Sequence, residues 1–226
     1  MSKLIVIEGT DCSGKETQTN LLLERLKKEK IKIEKLSFPM YDTPTGKIVG
    51  GPYLGKEHIS KGLFEEGAAK VDPKVSALYF AADRKYNSPK IINLLKKGYN
   101  VILDRYVVSN MAHQAGKLKV SEHRYEMYNW LDSLEYGLLE LPRANLTILL
   151  YVPYKNAYEL KKNRKEKPDQ HEISKEHLKL AEAAYLELAD LYNFKIVNCV
   201  KNNKIRTIED IHEEVYKIVS ESLKEN

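Results

Sequence analysis

An α/β fold, with a parallel sheet covered by helices on both faces, is predicted by three features of this 226-residue chain. Short β-branched apolar runs alternate with longer helical stretches. Most of these runs are apolar throughout, as strands buried on both faces must be. The first run leads straight into a glycine-rich turn that opens a helix. Hydrophobic residues make up 42% and charged residues 31%, a balance that gives a globular core rather than a disordered chain. The expectation is one domain spanning 1–226, with five parallel strands in a three-layer α/β/α arrangement and a short helical lid at about 161–173.

Each element has a local reason. "KLIVIE" (Lys3–Glu8) reads as the first strand, and the helix after the glycine turn runs to about Lys30. "IKIEKLSF" alternates in polarity and ends at Phe38-Pro39, a second strand. A helix starts near Thr45 and is interrupted at "GGPYLGK". Asp72-Pro73 is a helix start for "DPKVSALYFAADRKYN". "SPKIINLLKKG" is read as a separate helix, with Pro89 in its first turn and Gly98 as its stop. "NVILDRY" is a third strand, "SEHRYEMYNWLDSLEYGLLELP" a long helix and "LTILLYV" a fourth strand. "NAYELKKNRK" and "SKEHLKLAEAAYLELADLY" are helices joined by the polar "KEKPDQHE". "FKIVN" and "TIEDIHEEVYKIVSESL" close the chain as a fifth strand and a helix.

Composition narrows the function classes. No apolar run approaches the ~20 residues of a membrane span. Cys12 and Cys199 are too few for a disulfide framework and lack metal-ligand spacing, so a reducing cytoplasm is expected. The formal charge of +5 suits solubility or anionic substrates, and no aromatic-and-basic pattern points to nucleic acid. Only seven of the 37 basic residues are arginines. Arginine is the planar fork suited to phosphates and base edges, so each one is a candidate.

"IEGTDCSGKETQ" carries the G-x-x-x-x-G-K spacing of a phosphate-binding loop in Gly9, Gly14 and Lys15. A strand before it and a helix after it supply the required context. Backbone N–H groups and the helix N-terminus then make an anion site, and Lys15 reaches the β- and γ-phosphates. The alternative is a plain strand–turn–helix corner. Glu16 stands where a magnesium-binding hydroxyl is expected; on a first helical turn it can simply face solvent. Thr17 points about 100° further round and either assists phosphate binding or caps the helix. Asp104, at the end of strand three, then becomes the candidate to hold Mg²⁺ through water.

Taken together, "EGTDCSGKETQ", "FP" at Phe38-Pro39, "YFAADR" at 79–84, "DRYVVSNMA" at 104–112 and "YLELA" at 185–189 resemble, in order, the thymidylate kinase family of P-loop nucleoside monophosphate kinases. The resemblance implies transfer of a phosphoryl group from ATP-Mg to dTMP, giving dTDP and ADP, in a homodimer. It assigns Gly9, Thr10, Asp11, Cys12, Ser13, Gly14, Lys15, Glu16 and Thr17 to ATP. Asp11, Phe38, Pro39, Phe80, Arg84, Arg105, Ser109, Asn110 and His113 fall to dTMP. Asp11 would bind the sugar 3′-hydroxyl, and Arg105 would hold the acceptor phosphate. Phe80 would stack on thymine, or else is ordinary core packing. Arg84, one helical turn on, would donate to thymine O4. In this family a catalytic arginine comes from the loop or the lid. Cys12 follows Asp11 here, which leaves Arg164, although Arg164 also fits a solvated helix end.

The chain departs from the family pattern in several places. Met40 and Tyr41 follow Phe38-Pro39 where an arginine is common; His113 replaces an aromatic residue, often tyrosine; and Asp169-Gln170 stands for Asp-Arg. The competing readings are a deoxynucleoside kinase, which would favour Glu-Arg-Ser over Asp104-Arg105-Tyr106, and a GTP-binding switch. The switch needs N-K-x-D after a strand, and "VNCVKNN" has no aspartate.

Overall fold

The computed structural model describes residues 2–10, 12–162 and 175–225. Strands β1 (Leu4–Gly9), β2 (Ile33–Ser37), β3 (Asn100–Asp104), β4 (Leu146–Tyr151) and β5 (Lys195–Asn198) form one five-stranded parallel sheet in the order β2-β3-β1-β4-β5. Side chains leave a strand alternately on opposite faces. Leu4, Val6, Val101 and Leu103 therefore enter one core, while Ile5, Ile7, Ile102, Ile148 and Leu150 enter another. The first core is closed by α3 (Pro73–Lys96), α4 (Val107–Ala115), α5 (Ser121–Asp132) and α7 (Lys175–Leu191), through Ile91, Met111, Met127 and Leu188. The second is closed by α1 (Lys15–Lys28), α6 (Tyr154–Lys162) and α8 (Ile208–Lys224), through Leu22, Ala157 and Val215. Each buried Leu, Ile or Val is worth ~1.5–3 kcal/mol, so these two cores rather than helix propensity hold the three layers together. The register pairs Ile7 with Asp104 and Gly9 with Leu150, which brings the ends of β1, β3 and β4 to one edge.

Four local expectations need correction. The two helices expected on either side of Asn87-Ser88 are one, α3, with Pro89 inside it. Proline lacks the N–H that would reach the Lys85 carbonyl. The Ser88 hydroxyl donates to that carbonyl instead, at 2.9 Å, so the helix continues. The "GGPY" stretch does not interrupt α2 (Pro44–Ile48) but widens it into a π-helical turn, Val49–Tyr53. A second π-helical turn, Ser133–Leu138, extends α5. Helix α4 was not expected at all. Finally, β6 (Val200–Lys201) and β7 (Lys204–Ile205) pair as a small antiparallel hairpin. Asn202 and Asn203, with φ of 51° and 58°, make its tight turn; asparagine tolerates that left-handed region.

Candidate active site

The turn between β1 and α1 owes its shape to two glycines. A Cβ on Gly9 would lie 2.4 Å from Ser13 Oγ and 2.8 Å from the Leu150 carbonyl, so a larger residue there must displace its neighbours. Gly14 precedes α1 with φ 75°, in the left-handed region that costs glycine nothing. Cys12 also has a positive φ, of 60°. Thr10 clasps the end of β4: its hydroxyl donates to the Val152 carbonyl at 2.8 Å and accepts from the Val152 N–H at 2.9 Å. Lys15 is buried, and its ammonium lies inside the turn, donating to the Gly9 and Thr10 carbonyls at 2.9 and 3.1 Å. Glu16 and Thr17 are exposed on the first turn of α1.

Beside this turn sits a residue that sequence reasoning did not single out. Glu8 is fully buried at the end of β1. Its carboxylate accepts from the N–H groups of Tyr106 and Ser109 at 2.8 and 3.1 Å, and from the Ser109 hydroxyl at 2.6 Å. The Tyr185 hydroxyl of α7 is 3.4 Å away. Burial raises the Glu8 pKa; the Ser109 hydroxyl, the charge on Arg105, the Tyr106 N–H and the charge on Lys15 oppose that rise. One carboxylate thus feels both cations. Arg105 follows β3 with φ 66°, and its Nη1 lies 3.2 Å from Ser109 Oγ and 3.4 Å from His113 Nε2. His113 meets Tyr185 edge-on at 5.9 Å. Asp104, at the strand end, is 9% exposed, and no side chain among the described residues pairs with its carboxylate.

A second buried network lies deeper. Arg84 of α3 and Glu135 of the π-helical turn after α5 are 3% and 0% exposed. Arg84 Nε donates to Glu135 Oε2, and Nη2 to Oε1 at 2.7 Å. The Asn110 amide donates to Glu135 Oε1 at 2.9 Å and to the Ala77 carbonyl at 3.1 Å. Both amide hydrogens are thereby used, and Asn110 Oδ1 is left buried without a partner. Phe80 is half-buried and packs edge-on against Tyr53 at 5.6 Å, in a satellite cluster with Tyr41, Phe64 and Tyr79. Lys117 ties that cluster to α3, donating to Ala68 O, Val71 O and Ser76 Oγ at 3.2, 2.9 and 2.9 Å. Burial pulls its pKa down to about 8. Asp83, also buried, holds the chain after Phe38-Pro39: it accepts from the Met40 N–H and the Thr45 hydroxyl, both at 2.9 Å. Phe38 itself packs on Tyr106, ring centroids 5.9 Å apart, with Pro39 half-buried beside it.

The structure thus gathers Gly9, Lys15, Arg105, Ser109 and His113 at one sheet edge, and Arg84 and Asn110 in an adjoining network. Asp11, Arg164 and most of the expected lid lie outside the described residues. Glu8, Asp83 and Glu135 escaped notice because an isolated acidic residue in a sequence reads as a solvated charge. Their partners are mostly 25 to 101 positions away.

Comparisons with known proteins place nearly the whole chain in one family. The family described as thymidylate kinase matches residues 7–215. A protein named as a probable thymidylate kinase from Thermococcus onnurineus is 34% identical over 223 residues, 97% of this chain and 98% of its own. The thymidylate kinase of Plasmodium falciparum is 30% identical over 96% of this chain and 90% of its own. The structure of the Candida albicans thymidylate kinase superposes with a TM-score of 0.75 at 25% identity, covering 98% of this chain and 92% of that one. With the match running from the phosphate turn into α8, the chain belongs to the thymidylate kinase family.

Proposed function

We propose that the site moves the terminal phosphoryl group of ATP onto the phosphate of dTMP, releasing ADP and dTDP, with Lys15 and Arg105 as the paired cations of the transfer. The observation that carries this reading is the β1–β3 register. It sets the phosphate turn next to Arg105, so that both cations act on Glu8. Two anions brought together repel, and phosphoryl transfer needs positioning and positive charge more than a covalent group. Loop N–H groups and Lys15 hold the donor, while Arg105 receives the acceptor phosphate. A groove of about 290 Å³ lined by Cys12, Gly14, Thr17, Ile205 and Arg206 gives the rest of the donor nucleotide a place beside the turn. Asp11 and Arg164 complete the proposal as sugar-binding and lid residues.

Asp104 offers hard oxygens, and its carboxylate is not committed to another side chain among the described residues, which fits Mg²⁺ held largely by water and phosphate oxygens. Bound there with ATP, the ion would neutralise charge on the β- and γ-oxygens. Phe80 offers a ring face to the acceptor base. Arg84 Nη1, a donor, and Asn110 Oδ1, an acceptor, match thymine O4 and N3–H, whereas cytosine presents the opposite pair at those positions. A homodimer is supported by an apolar stripe on α3, where Val75, Leu78 and Tyr86 are exposed. A cytoplasmic setting accords with Cys12 and Cys199 being thiols rather than a disulfide.

ADP release measured across dTMP, dUMP, dCMP, dGMP and thymidine tests the reading. dTMP should be the preferred acceptor and thymidine nearly inert. Thymidine turnover matching that of dTMP would move the assignment to a nucleoside kinase.

A further inference from the structure

We infer that Glu135, which lies behind the base-reading residues and touches no substrate, sets the base selectivity of the enzyme. The inference rests on the reading that Arg84 and Asn110 meet the base edge. A carboxylate is an acceptor only. Glu135 therefore draws Nε and Nη2 of Arg84 toward itself and leaves Nη1 as the nitrogen with no bond among the described residues. It also decides which end of the Asn110 amide faces it. Because Oε1 accepts from Nδ2 at 2.9 Å, and the Ala77 carbonyl takes the second hydrogen at 3.1 Å, Asn110 must present its oxygen elsewhere. That oxygen is the buried acceptor without a partner. The donor–acceptor order read against the base is thus the inverse of the order Glu135 imposes from behind.

The placement is consistent with a positioning role. Glu135 lies in the π-helical turn Ser133–Leu138, an irregularity that recurs at functional sites. It is wholly buried and commits its carboxylate to Arg84 and Asn110. An amide at this position changes the logic. Glutamine still accepts from Arg84 through its oxygen, but its NH₂ can donate to Asn110 Oδ1. Only the Ala77 carbonyl then still holds Nδ2 inward, so the preference for presenting the oxygen weakens and the turned-over amide, a donor matching cytosine N3, becomes accessible.

The test is Glu135→Gln, with Glu135→Asp beside it. The aspartate keeps the counter-charge for Arg84 while withdrawing the oxygens by one methylene, so a folded variant is at hand if the buried arginine does not tolerate glutamine. Steady-state kinetics with dTMP and dCMP are compared after unfolding curves confirm that each variant is folded. The expected result is a rise in KM for dTMP with kcat changed by less than about three-fold, and a dTMP-over-dCMP preference narrowed by about ten-fold or more in Glu135→Gln and by less in Glu135→Asp. A preference unchanged in both, whatever happens to stability, overturns the inference, because a purely structural loss lowers both substrates together. Asn110→Ala separates the two levels. If Asn110→Ala alters the preference and the Glu135 variants do not, only the role of Glu135 falls. If Asn110→Ala leaves it unchanged as well, the base-edge reading falls with it.

Discussion

The donor and acceptor sides of this site are made of different material. At the phosphate turn, the groups proposed to meet the donor are backbone N–H groups of a loop shaped by Gly9 and Gly14, with Lys15 as the proposed side-chain contact. Across the edge, the groups are side chains held mainly by other buried side chains: Arg105 by Ser109, itself bonded to Glu8, Arg84 by Glu135, and Asn110 by Glu135 together with the Ala77 backbone carbonyl. A backbone cradle does not depend on which side chains its residues carry, which is why Cys12, half-buried against the second core, and the exposed Glu16 are both accommodated. A side-chain network is not, because removing one partner strands another in a dry place, at a cost of ~3–5 kcal/mol for a buried ion pair.

The largest effect should separate the two sides outright. Arg105→Met removes the guanidinium assigned to the acceptor phosphate and should lower kcat/KM for dTMP by about 10³-fold, the scale of losing a transition-state donor. Cys12→Ala and Glu16→Ala should each change it by less than about five-fold, since neither side chain makes the cradle. Initial rates at varied dTMP and saturating ATP decide this. If either loop variant loses as much as Arg105→Met, the contrast between the sides is broken.

The next effect probes the cradle where it is vulnerable, at its backbone. Gly9→Ala places a methyl 2.4 Å from Ser13 Oγ and 2.8 Å from the Leu150 carbonyl of the neighbouring strand. Ser13 can rotate, but the strand cannot move without disturbing the register. The expected cost is ~1–3 kcal/mol in denaturant unfolding. KM should rise for ATP and stay near the wild-type value for dTMP. Equal rises for both substrates would mean that the two sides are mechanically one.

The same division explains what the sequence disclosed. The phosphate turn is local: seven consecutive residues with the right spacing, bounded by a strand and a helix, announce it without knowledge of the fold. The five strands were legible because short β-branched runs bounded by turn signals are too brief for helices, even where, as in β2 and β5, the strand is only partly buried. The joined α3 was missed because Pro89 is a valid start signal, and the Ser88 hydroxyl that rescues the helix is visible only in three dimensions. Helix α4 was missed because it begins only two residues after Arg105, and its first residues were read as part of the Asp104–Ala112 motif rather than as an element of their own. Glu8, Asp83 and Glu135 were illegible for a deeper reason. A carboxylate announces its role through the partners it finds, and those partners come from other elements of the fold. Arg84 and Asn110 were flagged by resemblance, but what pins them was not.

The smallest effect concerns the residue shared by both sides. Glu8 has its pKa raised by burial despite the nearby Ser109, Arg105, Tyr106 and Lys15. Above pH 4.5 the native protein therefore holds on to a proton that the unfolded chain releases. Stability must fall as pH rises from 4.5 to the native pKa, by at most ~1.4 kcal/mol per pH unit, and then level off. Glu8→Gln removes this term. Its stability relative to the wild-type chain should therefore improve with rising pH across that window and become constant above it, as read by urea unfolding at closely spaced pH values. A difference that does not vary between pH 4 and 7 would show that Glu8 titrates like a surface carboxylate. Ionised Glu8 thus weakens the fold it is buried in. What it supplies in return is local: it accepts the N–H groups of Tyr106 and Ser109 directly after Arg105, where the backbone holds φ at 66°. Activity in Glu8→Gln at neutral pH should fall mainly through KM for dTMP, because what loosens is the seat of Arg105 and not the amide cradle.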